Sequence, residues 1–476
     1  MKKGLATILL FLSFLPAFAS GVRVKGTVCD ENSQGLAGVK VTDGFNIVLT
    51  DRHGRYDFTA HDGARFVYLT IPSGYSVPSR NGAPYFYRAL AGEAVQKENF
   101  VLHREAEDRT SHQFILWADV QVYNRDEIAL VRQAAEDARQ ELARNGEPAF
   151  GVSCGDIIGE WLDDFSVDVQ EACATAGVPF FTLMGNHDYR ADARSNEASK
   201  VLYTDKFGPT YYSFDCGKMH YVVLDDVFYF ARHYIGYVEE SQLAWLEKDL
   251  QSVEKGSTVV LFLHIPTYSR WAERGEWRKE EYNKIVTNRS ALYEVLSDYN
   301  VHICSAHEHY AANYRINERI FEHVHAPLSG LFWQSLYSCD GVPWGYYVYR
   351  VEGNGIADWY YKPVGLPRET QFSAYRVGED PMKPESVVAN VWNYDSTWKV
   401  EWEENGIPQG AMTQYDGWDR TIVADVEARR EKEFTWKYIG AGQTPHLFYA
   451  TPSSADAQVT IKVTDHFGRT YTWTNK

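Results

Sequence analysis

Five apolar runs in the middle of this chain each stop abruptly at polar side chains of one chemical kind. QFILWADV leads into Asp119-Val120-Gln121, and FGVSCGD ends at Gly155-Asp156. VPFFTLM is followed by Gly185-Asn186-His187-Asp188, STVVLFL by His264-Ile265-Pro266, and VHICS by Ala306-His307-Glu308-His309. Between them lie stretches with apolar residues at helical spacing: Asp126 to Ala143, ESQLAWLEKDLQSV and SALYEVLSDY. Strands alternating with helices predict an α/β fold in which the carboxyl ends of the strands share an edge, where ligands bind. Any one of the polar ends has an ordinary explanation, because Asp caps helices, Asn and Gly make turns, and a lone His is commonly a hydrogen-bonded structural residue. Five in succession at the same end of their strands point to one shared site.

Carboxylates, an amide oxygen and imidazoles form a mixed oxygen and nitrogen donor set, which suits Mn, Fe or Zn better than Ca, with Mg also admissible. A carboxylate can bridge, so one central Asp can hold two ions about 3.5 to 4 Å apart, as two-metal hydrolases do. Such a pair polarises a phosphoryl oxygen, generates hydroxide from water and offsets charge on the leaving oxygen. The cluster therefore implies phosphate-ester hydrolysis.

The rest of the chain sets bounds. Its 476 residues exceed what one core usually organises. Residues 1–19 read as a signal peptide, with Lys2 and Lys3, an apolar stretch from Leu5 to Ala17, and Ala17-Phe18-Ala19 as the cleavage site. The apolar stretch is too short to span a bilayer and no later segment is long enough, so the expectation is an exported, periplasmic or extracellular protein with no transmembrane segment. Residues 20–108 read as a β-sandwich, 109–365 as the α/β core and 366–476 as a second β-rich domain, on the evidence of short β-prone runs separated by turn residues. A net charge of -17 argues against nucleic acid as a partner, but not against small phosphorylated substrates, since bound metal supplies local positive charge. The six cysteines are scattered; Cys154 and Cys304 would pair only if their strands are neighbours.

The order D-x-[HQ], GD, GNHD, H-x-P, [GA]-H-x-H resembles the calcineurin-like metallophosphoesterases from near residue 111 to 365. GTVCD, GVKVTDG, DGVPWGYYVYRV, NVWNYDSTWKVEW and TDHFGRTYTW resemble an exported branch of that family with β domains on both flanks. The resemblance implies an α/β sandwich core and two divalent ions. The first would be held by Asp119, Gln121, Asp156 and His309, and the second by Asp156, Asn186, His264 and His307. It also implies that His187 faces the substrate, stabilising the transition state or protonating the leaving group; Asp188, next in the chain, is then expected to accept a hydrogen bond from its imidazole and orient it. The implied nucleophile is a metal-bridging hydroxide, and the implied substrate a small phosphomonoester or phosphodiester: a glycan, nucleotide or lipid headgroup. Gln121 stands where the family usually has His, and Ala306 where it usually has Gly. A neutral amide is a weaker ligand than imidazole, which implies a first metal bound less tightly or of different identity.

Two other classes compete. Gly151-Val152-Ser153-Cys154-Gly155 fits the G-x-S-x-G serine elbow, which needs a helix directly after the turn. A non-catalytic glycan-binding protein with a vestigial metal site would use Trp392, Trp398, Trp402 and Trp418 as stacking platforms, although tryptophans also fill β-domain cores. His323 and His325 share one face of a predicted strand, Asp225-Asp226 closes another, and Tyr268, Trp271, Trp333 and Trp344 fall in loops where they could shape specificity.

Overall fold

In the α/β region the strands Phe180–Leu183, Ala149–Cys154 and Ser111–Trp117 run parallel, and Gly345–Glu352 and Gly355–Pro363 complete their sheet in antiparallel fashion. A second sheet of six strands runs in the order Tyr212–Cys216, Met219–Val223, Thr258–Phe262, Asn300–Ser305, Ile320–Val324 and Ala312–Arg315. The computed structural model describes residues 21–106, 109–160, 165–190, 192–231, 233–270, 281–430 and 439–475. The expected signal peptide and Trp271 lie outside the described residues.

Strand alternation sorts the side chains into layers. Phe114, Leu116, Phe150, Val152, Phe181 and Leu183 point between the sheets, where they meet Tyr221, Val223, Val260 and Phe262. Ile115 and Trp117 point outward, beneath the helix Ile128–Asn145. The inter-sheet layer is rich in rings: Phe181 stacks on Phe214 with centroids 3.9 Å apart, and Phe150 meets Tyr221 edge-on at 5.0 Å. Such rings bury large apolar areas, so the facing sheets hold each other in a fixed register.

The helix begins at Ile128 rather than Asp126, because Asn124 accepts the N–H groups of Asp126 and Glu127 and closes a short 3-10 turn first. It buries Val131, Ala134, Ala135, Ala138 and Leu142 at helical spacing, and ends at Gly146 with φ of 76°. Helices also form at Glu240–Leu250 and Arg289–Val295.

Two small β units flank this core. Toward the N-terminus, Val24, Val28, Val41, Val67, Leu69, Phe100 and Leu102 fill the space between two sheets. From Phe372 onward, two four-stranded sheets enclose Val387, Ala389, Val400, Phe448, Val459, Ile461 and Val463. All six thiols are free, and Cys154 and Cys304 lie in opposite sheets, with the Cys154 Sγ donating to the Leu263 carbonyl at 3.0 Å.

A buried ionic seam ties the N-terminal unit to the core. Lys40 Nζ lies 2.7 Å from Asp249 on the helix Glu240–Leu250, and His220 bridges Asp249 at 2.8 Å and Asp215 at 2.7 Å. Burial opposes charge on His220, but the carboxylates of Asp249 and Asp215 outweigh it and raise its pKa to about 9. That value lies above the unfolded one of about 6.5, so the stabilisation is full below pH 6.5 and is lost as the pH rises through 9. Thermal denaturation between pH 6 and 9.5 should therefore show a fall in Tm that His220→Gln largely removes. An identical pH slope in the variant would contradict this assignment.

Candidate metal centre

The parallel registers carry the strand ends to one place. Trp117, Ser153 and Thr182 are laterally paired in the first sheet, and Phe262 pairs with Cys304 in the second. The residues just beyond, from Asp119 to His309, consequently meet where the carboxyl edges of the two sheets face each other. Two donor clusters form there, Asp119 with Asp156 and His309, and Asp156 with His264 and His307. Within each, the candidate ligand atoms lie within 4.8 Å of one another, and Asp156 belongs to both.

The two amide residues join the same clusters. Asn186 Oδ1 is 3.1 Å from His264 Nε2, and Gln121 Nε2 donates to Asp156 Oδ2 at 3.1 Å. All seven residues expected as ligands are thus brought together. Gln121 Oε1 and His309 Nδ1 are buried with no hydrogen-bond partner. A buried polar atom without a partner is costly, and a cation would satisfy both, so the residues present fit a metal.

The turns that present these groups are strained. Asp119 has φ of 43°, Gln121 39°, Asp156 51°, His307 67° and His309 55°, all in the left-handed region that L side chains avoid. Such residues cost of order 1–3 kcal/mol each and persist where the surroundings over-determine them. The restraint here is backbone hydrogen bonding from one loop to the next. Gln121 N–H donates to the Asp156 carbonyl at 2.7 Å, His187 N–H to Asp156 Oδ1 at 2.8 Å, and His307 N–H to Asp119 Oδ2 at 3.0 Å.

Outer partners set which imidazole nitrogen is available. His264 Nδ1 is 3.0 Å from the Cys154 carbonyl, leaving Nε2 to face Asn186 and Asp156. His307 Nε2 is 2.8 Å from the Asn283 carbonyl, leaving Nδ1. Burial works against charge on Asp156, yet attraction from His264 and His187 prevails and holds its carboxyl well below the usual carboxylate range. Burial likewise opposes charge on His264, and Asp156 overrides it, raising the pKa to about 10.

Asp188 departs from its expected role. Its carboxylate oxygens accept the N–H groups of Ile157 and Gly185, both at 2.9 Å, rather than the His187 imidazole. It therefore ties the loop after Asp156 to the loop that carries Asn186. Burial, then repulsion from Asp156, raises its pKa to about 8. His187 is the least buried of the Asn186-His187-Asp188 triplet. Asp226 plays a similar part in the second sheet, accepting the N–H groups of His264 and Ile265 at 3.2 and 2.9 Å.

The competing candidates separate cleanly. Ser153 is fully buried in mid-sheet, and the chain turns through Gly155 and Asp156 without entering a helix, so the nucleophile-elbow geometry is absent at this position. Trp392 and Trp398 are buried, Trp402 packs against the C-terminal core, and Trp418 is 40% exposed, which leaves one of the four open as a stacking surface. His323 and His325 are buried and satisfied: His323 by His302 and Asn313, each at 3.0 Å, and His325 by Ser305 and Tyr349, each at 2.7 Å. Trp344 is buried beside Trp333, and Tyr268 packs edge-on against Tyr314 at 5.0 Å. Sequence reasoning missed Asn283, Tyr234 with its ring 6.0 Å from His307, and Phe332 with its ring 4.6 Å from His309. These stand in loops or on a short hairpin, outside the strand-end pattern.

Family comparison agrees with the geometry. Residues 112–311 match the calcineurin-like phosphoesterase family, residues 22–105 its N-terminal domain and residues 322–471 its C-terminal domain. The chain belongs to the calcineurin-like phosphoesterases. It is 26% identical over 193 residues to the serine/threonine-protein phosphatase CPPED1 of Mus musculus, a match spanning 38% of this chain and 59% of that protein. Purple acid phosphatase 23 of Arabidopsis thaliana is 28% identical over 171 residues, or 33% of either chain. The match thus covers less than two thirds of either relative's length. A dimetal phosphatase from Danio rerio aligns in structure over 53% of this chain and 95% of its own, with 17% identity and a TM-score of 0.36.

Two glycines of this chain leave the space beside the candidate ligands. A Cβ on Gly155 would come within 2.4 Å of the His264 ring, and one on Gly185 within 2.2 Å of both the amide nitrogen and Oδ1 of Asp156. Gly185→Ala should therefore displace Asp156, costing about 1–3 kcal/mol as overpacking does and weakening metal retention. Denaturant unfolding and metal content measured together check this, and a variant with unchanged values for both would contradict it.

Proposed function

We propose that this chain hydrolyses small phosphate esters using two divalent cations of the Mn, Fe or Zn type. The observation that carries this reading is the sharing of Asp156 between two donor clusters, with Gln121 Oε1 and His309 Nδ1 buried and unpartnered beside it. Asp119, Gln121, Asp156 and His309 would hold one cation, and Asp156, Asn186, His264 and His307 the other. When bound, the cations supply Lewis acidity to the phosphoryl group and to a water.

The remaining work falls to the chain itself. The Cys154 and Asn283 carbonyls fix the His264 and His307 tautomers, and Asp188 and Asp226 fix the loops that bear Asn186 and His264. His187, whose N–H is anchored on Asp156 Oδ1 and whose side chain is partly exposed, stands ready to pass a proton to the leaving oxygen. The leader-like residues 1–19 support export, where a phosphorylated glycan, nucleotide or lipid headgroup would serve as substrate.

Chelation should abolish turnover of p-nitrophenyl phosphate or its diester, and Mn, Zn or Fe should restore it. Asp156→Asn should lose both metals and activity together, whereas His187→Ala should keep its metal and lose about 10²–10⁴-fold in kcat. Chelator-insensitive turnover would contradict the metal reading, and an undiminished His187→Ala would contradict the role of the imidazole.

A further inference from the structure

The segment 327–343 runs as a strap against the Asp119 turn and His309 of the first donor cluster. Its Leu328 N–H donates to the Ala118 carbonyl and its Ser329 hydroxyl to the Asp119 carbonyl, each at 2.8 Å. Trp333 Nε1–H donates to the Val120 carbonyl at 2.8 Å. The three successive carbonyls of Ala118, Asp119 and Val120 are therefore each partnered by this segment, two of them by side chains. On the same strap the Phe332 ring lies 4.6 Å from that of His309, and the Cys339 thiol donates to the His309 carbonyl at 3.1 Å.

The strap is itself held out of relaxed geometry. Phe332 and Trp333 both have positive φ, 55° and 59°, which bulky residues rarely adopt and which persists only where surrounding contacts fix it. Those contacts come from the C-terminal part of the chain. Leu331 packs with Ile422, Val426 and Ile439, and Arg429 donates to the Gln334 carbonyl at 3.0 Å. Asp340 accepts the Ala311 N–H at 2.8 Å, two residues past His309, and is pinned in turn by Asn390, which donates to its carbonyl at 2.9 Å, and by His446 Nε2 at 3.2 Å from its carboxylate.

We infer that the 327–343 strap is a positioning device for the first metal site, with Ser329 and Trp333 as its positioning residues and the C-terminal β unit as its anchor. The inference rests on the metal reading proposed above. Asp119 and Gln121 occupy strained backbone, and their turn keeps its shape only while its carbonyls stay partnered in a buried place. Without the donors of Ser329 and Trp333 the turn relaxes and its two ligands lose their aim. Asn186 and His264 are held by other loops, and the second site meets this turn only through Asp156 and the His307 N–H, so it is disturbed less than the first. Trp333, which its loop position in the sequence suggested for specificity, acts on this account through a backbone carbonyl.

The test is a stepwise Mn titration by calorimetry into the metal-stripped, full-length protein and into Trp333→Phe and Ser329→Ala. The unaltered protein should bind two ions. Each variant should bind one of them about ten- to a hundredfold more weakly, the size of effect that outer partners of metal ligands have, with the other changed by a clearly smaller factor. Val67→Ala, buried in the N-terminal β unit, should lower Tm without moving either affinity. Strap variants that lose Tm while keeping both affinities would reduce the strap to a structural role and overturn the inference. An unaltered protein that binds no Mn, Zn or Fe would overturn the metal reading, and this inference with it.

Discussion

Asp156 is a carboxylate placed where the edges of two sheets converge, almost wholly shielded from water. An ionised carboxylate in such a place is very costly unless neighbouring groups compensate it. Here each oxygen is engaged: Oδ1 accepts the His187 N–H and faces His264, and Oδ2 accepts from Gln121. Its own carbonyl takes the Gln121 N–H. The loops that bear the other candidate ligands are thus built outward from this one residue. The glycines at 155 and 185 leave the space in which it and His264 approach.

The two-sheet layer is what makes that convergence rigid. Stacked and edge-on rings from Phe114 to Phe262 fix one sheet against the other, so strand ends from separate sheets keep constant distances. Strain in the ligand turns is then stabilised from outside. Asp188 bridges two loops of the first sheet, Asp226 holds the start of the His264 loop, and the 327–343 strap ties Asp119 and His309 to the C-terminal unit. In this arrangement the flanking β unit does more than decorate the core, because the loop that contacts the Asp119 turn and His309 is fastened to it.

Much of this was legible in the sequence. Strand runs ending in Asp, Asn and His specify both the α/β layering and the shared edge, since parallel strands deliver their carboxyl ends to one side. The seven expected ligands converge for that reason. What was not legible depends on contacts between distant loops. Asp188 stands beside His187 in the chain, yet its carboxylate turns to Ile157 and Gly185, because two buried N–H groups offer a better partnership than one partly exposed ring. Asn283, Phe332 and Ser329 carry no periodic signal, and their parts emerge only once the chain is folded. Local chemistry also explains the late start of the first core helix, where Asn124 closes a separate turn.

The central claim is that Asp156 joins two metal sites. Crystals of the purified full-length protein, measured at the absorption edges of Mn, Fe and Zn, test it most directly. The account predicts two anomalous peaks about 3.5 to 4 Å apart, one beside Asp119 and His309, the other beside Asn186, His264 and His307, with Asp156 between them. A single peak, or peaks that do not share Asp156, in crystals grown with saturating metal would contradict it.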